Sequence, residues 1–146
     1  MSAGPRGRFM AAALAVPLLL ALAACSDGDK DKAKAAASAT CPGNITQTAS
    51  TPLPSDVPSP GGTVYDYNTQ GKTKFWFVAV DGSPDQLASM RDTYNTTLTG
   101  KGYKIVHTDQ EEGAEAEAEF SGAHAGTTQF IPLCSGKVRV RIELTS

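Results

Sequence analysis

The sequence predicts an α+β domain, in which one helix packs on one face of a mostly antiparallel sheet of five to six strands, in the order β-β-α-β-β-β. Several short segments between residues 63 and 144 alternate apolar and polar side chains, the period of a half-buried strand. One segment after residue 82 has instead the apolar spacing of a helix. Gly-containing turns separate the segments. An antiparallel sheet with the helix across one face is the simplest assembly of this order.

The strand segments differ in how deeply their patterns predict burial. The run TKFWFVAV is nearly continuous in apolar residues, as in a central strand, whereas EAEAEF and KVRVRIEL alternate cleanly. We expect Val138, Val140, Ile142 and Leu144 to face the helix, together with Ala116, Ala118 and Phe120. The six predicted strands are Thr63–Asn68, Thr73–Val80, Tyr103–Thr108, Glu115–Phe120, Thr127–Pro132 and Lys137–Leu144.

The predicted helix has a start signal, an apolar stripe and a stop signal. Ser83 can cap it, Pro84 suits its first position, and Gln86 completes a capping-box pattern. The glycines at positions 100 and 102 indicate its end. Several Thr and Asn residues lower its intrinsic propensity, so we expect packing to stabilise it. Its apolar stripe consists of Leu87, Met90, Tyr94 and Leu98.

Three consecutive aromatic residues cannot all face one side of a strand. Either Trp76 or the pair Phe75 and Phe77 must point away from the helix. A Pro-rich segment covering that second face would account for this, and we favour that arrangement. A ligand or partner surface there is the alternative.

Composition and charge exclude several classes of protein. Apolar residues make up 40% of the chain and charged residues 19%, as in an ordinary soluble domain. Without the first 24 residues the chain has 11 basic and 15 acidic side chains, and so lacks the charge of a nucleic-acid-binding protein. The sequence contains no run of 18 apolar residues, so it predicts no ordinary transmembrane helix.

The amino terminus has the pattern of an export signal. Arg6 and Arg8 precede an uncharged apolar run that ends in small residues. The sequence Leu22-Ala23-Ala24-Cys25 resembles the lipobox of bacterial lipoproteins, and the high Ala and Gly content resembles the actinobacterial type. The resemblance implies cleavage before Cys25 and lipidation of its thiol. It also implies a location at the outer face of the cytoplasmic membrane, with membrane lipid as the partner of the acylated Cys25.

The sequence therefore predicts three consecutive parts of the chain. Residues 1–24 form the signal peptide, residues 25–61 a lipidated flexible tether followed by a Pro-rich strap, and residues 62–146 a small α+β domain. The tether, residues 26–40, is polar and alternates in charge, so we expect it to be mobile. The alternative is a helical turn over Lys30–Ala37, which Ala and Lys favour but which has no apolar face. The strap, residues 51–61, holds four prolines and should be extended.

Two cysteines remain beside Cys25. In an exported protein Cys41 and Cys134 are expected to form a disulfide that holds the segment before the strap to the last hairpin. Because this disulfide would close a long loop, it would stabilise the folded state by at most about 4.7 kcal/mol through the reduced entropy of the unfolded chain. Two free thiols or a metal pair are the alternatives, although no histidine stands at ligand spacing.

Two strands present opposite charges. If they pair, these charges face each other across the ladder and stabilise the sheet. The alternatives are a docking surface formed by the same side chains, or a divalent-cation site formed by Asp109, Glu111, Glu112 and Glu115. The charged side chains are Glu115, Glu117 and Glu119 on one strand and Lys137, Arg139 and Arg141 on the other.

No motif indicates a reaction centre. His107 and His124 stand near no nucleophile motif, and no phosphate loop or dinucleotide fingerprint occurs. We therefore expect a monomeric, non-catalytic binding or interaction module at the cell envelope, without cofactor or metal, that contacts an envelope protein or a small ligand. One alternative is a carrier of a small apolar or envelope-derived ligand, with a cavity beside Trp76. A third is a cell-wall hydrolase, which would need a cleft that joins two carboxylates.

Overall fold

The computed structural model describes residues 27–145, so the predicted signal peptide and Cys25 lie outside the described residues. No helix within that range is long and apolar enough to cross a membrane. Two short 3-10 turns, Gly43–Thr46 and Pro84–Gln86, accompany the regular elements. These are α1 (Asp27–Ser38), β1 (Thr63–Gln70), β2 (Thr73–Asp81), α2 (Leu87–Gly100), β3 (Lys104–Glu111), β4 (Glu115–Ser121), β5 (Ala125–Cys134) and β6 (Lys137–Thr145).

The strands form one antiparallel sheet in the order β1-β2-β6-β5-β4-β3, with α2 packed against one face. The predicted α+β class is therefore confirmed. Consecutive strands after α2 are neighbours, while β6 lies between β2 and β5. Because β5 separates β4 from β6, the predicted pairing of their charged side chains across one ladder is wrong.

Helix α2 follows its sequence signals. The Ser83 backbone N–H donates to the Gln86 side chain at 3.1 Å, and Pro84 begins a 3-10 turn that leads into the helix. Leu87, Tyr94 and Leu98 of the predicted stripe are buried, and Met90 is partly buried against the core. The helix also buries two polar side chains that the apolar pattern does not include, Arg91 and Asn95.

The main core lies between α2 and the sheet. Val78 packs opposite Val140, and Val140 opposite Phe130, so three adjacent strands present their apolar side chains to the helix. All seven side chains predicted to face the helix are buried, and Ala116 and Ala118 are completely inaccessible. The small alanines allow the helix to approach β4 closely.

The strap packs on the same face of the sheet as α2. Val57 is buried in the main core, and the Tyr94 hydroxyl donates to the Pro58 carbonyl oxygen at 2.8 Å. Trp76 also faces this side, where its indole N–H donates to the Pro52 carbonyl oxygen at 3.1 Å. The expectation that the strap covers the second face, behind Phe75 and Phe77, is therefore wrong.

The predicted tether contains a helix instead of a mobile coil. Helix α1 contacts β5, and the Ser135 backbone N–H donates to the Ala39 carbonyl oxygen at 2.9 Å. Ala and Lys favour a helix, and this attachment fixes its carboxyl end. Over residues 27–38 the expected coil is therefore replaced by a helix, which includes the stretch Lys30–Ala37 where a helical turn was the alternative.

The predicted disulfide between Cys41 and Cys134 is present, with 5.0 Å between the two Cα atoms. It lies beside a second, smaller core in which Ile45 packs with Ala79, next to Tyr65 and Leu133. The disulfide therefore fixes the segment before the strap to the end of β5.

Candidate functional site

The sheet has a second face, turned away from α2, which we call the open face. Antiparallel register decides which side chains share it, because residues directly opposite each other point to the same side. Residues 41–45 and Tyr65 cover the end of this face near Ala79. Helix α1 contacts β5, and its Lys32 and Ala36 line a pocket together with Glu115, Glu117 and Ile131. Among the described elements, only neighbouring strands make extensive contacts with β2 and β6, which form the middle of this face. Its central side chains are Phe75, Phe77, Thr127, Gln129, Arg139, Arg141, Glu143, Glu115, Glu117 and Glu119.

The β2–β6 half of the open face combines rings with arginines. The Arg139 guanidinium lies 5.7 Å from the centre of the Phe77 ring, and the Arg141 guanidinium 5.8 Å from that of Phe75. These cation–π contacts hold the arginines flat against the sheet. The Nε atoms of both arginines are buried without a hydrogen-bond partner among the described residues. Aromatic surface and unsatisfied donors thus lie together at the middle of the face.

Nearby polar groups only partly neutralise the arginines. Arg141 lies 3.5 Å from Glu143, two residues along the same strand, and its side chain is 33% exposed. The charge of Arg139 opposes the rise in the pKa of Tyr65 that burial causes. Lys137, at the start of β6, forms a salt bridge with Asp81, in which Nζ lies 2.7 Å from Oδ1. Of the three predicted basic docking residues, Arg139 and Arg141 therefore belong to the middle of the face and Lys137 to its end.

The β3–β4 half of the open face is acidic. Six of the chain's 15 acidic residues lie between positions 109 and 119, and residues 105–136 contain no Lys or Arg. The pKa of Glu117 is raised by burial first and then by the charge of Glu115, while Arg141 acts in the opposite direction. Glu115 accepts a hydrogen bond from the Gln129 amide at 2.7 Å. The face is thus a charge dipole, with β5 between its two halves.

A pocket of about 510 Å³ lies at the end of the acidic half, where α1 meets the β3–β4 hairpin. Lys32 and Ala36 form its α1 wall. Its carboxylates include three of the four proposed cation ligands, the exception being Glu112 in the turn. Even so, no group of His, Cys, Asp and Glu within the described range is placed to hold a metal ion. The acidic lining consists of Asp109, Glu111, Glu115 and Glu117.

The two histidines have different surroundings. His107 is exposed on β3, opposite Glu119. His124 lies in the loop after β4, where its Nε2 is 3.0 Å from the Asp56 carboxylate of the strap. The Tyr103 hydroxyl lies 3.5 Å from the same carboxylate. His124 therefore helps to attach the strap to the sheet.

An apolar groove of about 420 Å³ runs between the strap and β1. Leu53, Val57 and Val64 line it, and Trp76 does not. Trp76 is only 2% exposed, because the strap and the Tyr67 ring pack against it. The carrier hypothesis expects a cavity beside Trp76, whereas the wall of this groove does not include Trp76.

No protein-family model, no curated protein and no solved structure matches this chain. Its function is therefore inferred from the site itself. Sequence reasoning identified the charged residues of the open face and left open whether Phe75 and Phe77 or Trp76 points to it, but it did not place the two rings beside the arginines. The signal that could have found them is the shared two-residue spacing of Phe75 with Phe77 and of Arg139 with Arg141.

Proposed function

We propose that this chain is a lipid-anchored envelope protein that works as a non-catalytic binding module, with the open face as its docking surface. The signal-like amino terminus and the lipobox pattern ending at Cys25 support the anchor. The charge dipole of the open face supports the binding role.

The main support for the docking role is the middle of the open face, where Phe75, Phe77, Arg139 and Arg141 lie together. Buried donors that lack a partner cost free energy, as the Nε atoms of Arg139 and Arg141 do here. A partner that bonds to the exposed part of the Arg141 guanidinium and covers the Phe75 and Phe77 rings would offset this cost. Aromatic residues and arginine are also the types enriched in protein interfaces. The open face thus has the chemistry of a contact surface.

Charge reversal tests this role in intact cells. The double variant Arg139→Glu and Arg141→Glu should reduce cross-linking to a membrane-associated partner at least tenfold. A matched double variant, Lys72→Glu and Lys101→Glu, changes the same charge at exposed sites outside the open face and should leave cross-linking unchanged.

The folding of both variants is checked by circular dichroism. Because the arginines pack on rings, Arg139→Gln with Arg141→Gln provides a milder version of the same test. Equal cross-linking by all variants would refute docking through this face.

The anchor is tested separately by mass spectrometry of the protein purified from its own membrane. We expect a chain that begins at Cys25 and carries acyl chains, and a Cys25→Ala variant that is no longer retained by the membrane. An unmodified Cys25 in the membrane-bound protein would contradict the proposed anchor.

The groove beside the strap supports a second candidate, a carrier of a small apolar ligand. Trp76 is the chain's single tryptophan, and its indole is bonded to the strap at Pro52. A ligand that displaces the strap would therefore change the Trp76 emission. For a docking module we expect a flat fluorescence titration with envelope lipid extract, whereas a saturable change would favour the carrier.

A cell-wall hydrolase is the third candidate, because the acidic pocket does join several carboxylates. Burial and the charge of Glu115 raise the pKa of Glu117, and a raised pKa is the property expected of a general acid. Incubation with purified cell wall should release no soluble fragments. Release that is lost in Glu117→Gln would instead support the hydrolase.

A further inference from the structure

We propose that the outer edge of β3 binds an extended segment of another protein that carries Lys or Arg at every second position, and that this segment adds a seventh strand to the sheet. The inference rests on the proposed binding role and names the partner class. Three features of β3 support it: its outer edge, which no other described strand or loop pairs with, its exposed valine and the charges along its open-face side.

The two edges of the sheet are not equivalent. At the β1 edge, the Ala49 backbone N–H donates to the Val64 carbonyl oxygen at 2.7 Å, and the Gly43–Thr46 turn contacts the same strand. At the β3 edge, no other described strand or loop pairs with the backbone on the outer side. Unpaired edge groups are a template for a further strand. The chain's own backbone therefore protects the β1 edge. Along β3 only side chains bond the backbone, Arg91 at the Asp109 carbonyl oxygen and the Asp109 carboxylate at the Gln110 N–H.

Strand β3 is held in position from the helix side. The buried Arg91 of α2 donates from Nη1 to the Asp109 carbonyl oxygen at 2.8 Å. Ile105 packs against the main core, while Val106 is 59% exposed. Val106 is the single large hydrophobic side chain exposed to this degree in the described range. It lies at an irregularity in the β3–β4 register, between Ile105 and His107. An edge that no strand covers, with an exposed apolar side chain, can accept a further strand.

The charges along β3 select the occupant. Asp109 and Glu111 point to the open face, where Glu117 and Glu115 of β4 stand opposite them. A second copy of β3, paired antiparallel, would place acidic side chains opposite acidic ones, which is destabilising. A strand with basic side chains on that face would instead place opposite charges together. Lys104 stands at the start of β3, and Lys32 of α1 lines the pocket with Asp109, Glu111, Glu115 and Glu117, so acidic side chains outnumber basic ones along this stretch.

The test uses the full chain in mild detergent and a short labelled peptide that alternates Lys and Thr over the length of β3. We expect saturable binding, and exchange of the β3 backbone amides slowed at least tenfold by the peptide. The control peptide has the same charges, but the backbone nitrogens on its pairing edge are methylated. This peptide should bind at least tenfold more weakly, a difference of about 1.4 kcal/mol. Equal binding of both peptides, or unchanged exchange at β3, would show attraction by charge alone and overturn the proposal.

Variants of the protein locate the binding site. Asp109→Asn with Glu111→Gln should weaken the peptide at least tenfold, whereas Glu112→Gln, in the adjacent turn, should not. Arg139→Gln with Arg141→Gln should bind the peptide as well as the unchanged chain does. Loss of peptide binding in that arginine variant would place the peptide on the open face and overturn the edge assignment.

Two further outcomes are distinguishable. Slowing of β3 amide exchange that grows with protein concentration, in the absence of peptide, would show that a second copy is the occupant and would overturn the proposal. Failure of the peptide while the arginine-dependent cross-linking persists would refute the edge proposal alone and leave the proposed docking role standing.

Discussion

Glu117 lies in the acidic half of the open face, where its surroundings disfavour the charged form of its carboxyl group. Burial and the charge of Glu115 raise its pKa above the ordinary value. A raised carboxyl pKa means that folding favours the protonated form. The folded state is therefore relatively more stable below the ordinary carboxyl pKa and loses this advantage as pH rises through the raised value.

We expect Glu117→Gln to raise the free energy of unfolding at pH 7 by less than about 1 kcal/mol, because solvent screens a partly exposed group. At a pH below both pKa values the difference should vanish, since Glu117 is then neutral. Urea unfolding at the two pH values measures this, with the exposed Glu112→Gln as the control. Destabilisation at pH 7 would show that Glu117 makes a favourable contact that outweighs the repulsion.

Tyr94 connects three parts of the molecule through one side chain. It is 3% exposed, its ring packs edge-on against Phe130, and its hydroxyl donates to the Pro58 carbonyl oxygen. Burial also raises the pKa of this hydroxyl, so it stays protonated as a donor. The hydrogen bond is therefore a specific attachment of the strap to α2.

Replacing Tyr94 by Phe keeps the ring and removes the bond to Pro58. We expect the free energy of unfolding to fall by about 1–2 kcal/mol, because the carbonyl oxygen of Pro58 loses its partner. Thermal unfolding gives the size of the effect, and hydrogen exchange in the strap gives its location. A decrease spread evenly over the sheet, with the strap unaffected, would contradict the assigned attachment.

At the scale of elements, the sequence predicted what depends on neighbouring residues. The capping pattern at Ser83 and Gln86 is local, and so is the alternation along each strand, and both were confirmed. The burial of Arg91 was not predicted, although Arg91 lies on the same helix face as Leu87 and Tyr94. A search for apolar spacing does not count charged residues. Its burial depends on the Asp109 carbonyl oxygen of a distant strand.

The wrong pairing of β4 with β6 has a physical reason. The loops before and after β5 are short, so each can join only neighbouring strands, and β5 must lie between the other two. The opposite charges on β4 and β6 suggested that these two strands are neighbours. Each such pair stabilises a sheet only slightly, whereas a short loop restricts which strands can lie side by side. The contact of β6 with β2 is non-local, and no short pattern in the sequence specifies it.

Gly126 tests how closely β5 and β6 approach. A Cβ atom at this position would clash with the Glu143 carbonyl oxygen and with the Phe120 ring. We expect Gly126→Ala to destabilise the fold by about 1–3 kcal/mol, since the strands must separate to admit the methyl group. The control is Gly43→Ala, where the added atom meets nothing within 4 Å. Equal unfolding midpoints of the two variants would contradict this close approach.

At the scale of the whole molecule, the site was less predictable than the fold. The charged residues of the open face were identified because alternation fixes which side chains share a face of one strand. Their relation to each other depends on sheet order, which places Gln129 between Arg141 and Glu117. The strap was assigned to the wrong face because the contacts of Trp76 and Tyr94 with it are long-range.

The disulfide joins parts of the chain that the hydrophobic cores hold together only weakly. Cys41 and Cys134 are separated by 93 positions, so the bond constrains nearly the whole folded unit when it unfolds. On the folded side it adjoins only the small core of Ile45 and Ala79. Most of its stabilisation should therefore come from the restricted unfolded chain.

We expect the variant Cys41→Ser with Cys134→Ala to lose about 2–5 kcal/mol of unfolding free energy. Urea unfolding should also show a larger m value, because the unfolded chain without the crosslink exposes more surface. The unchanged chain in reductant is the matched control and should show the same loss. Hydrogen exchange should rise at Ser135, whose N–H bonds to Ala39, and stay slow at Val140 in the main core. An unchanged m value with fast exchange at Val140 would instead mean that the disulfide acts on the native core.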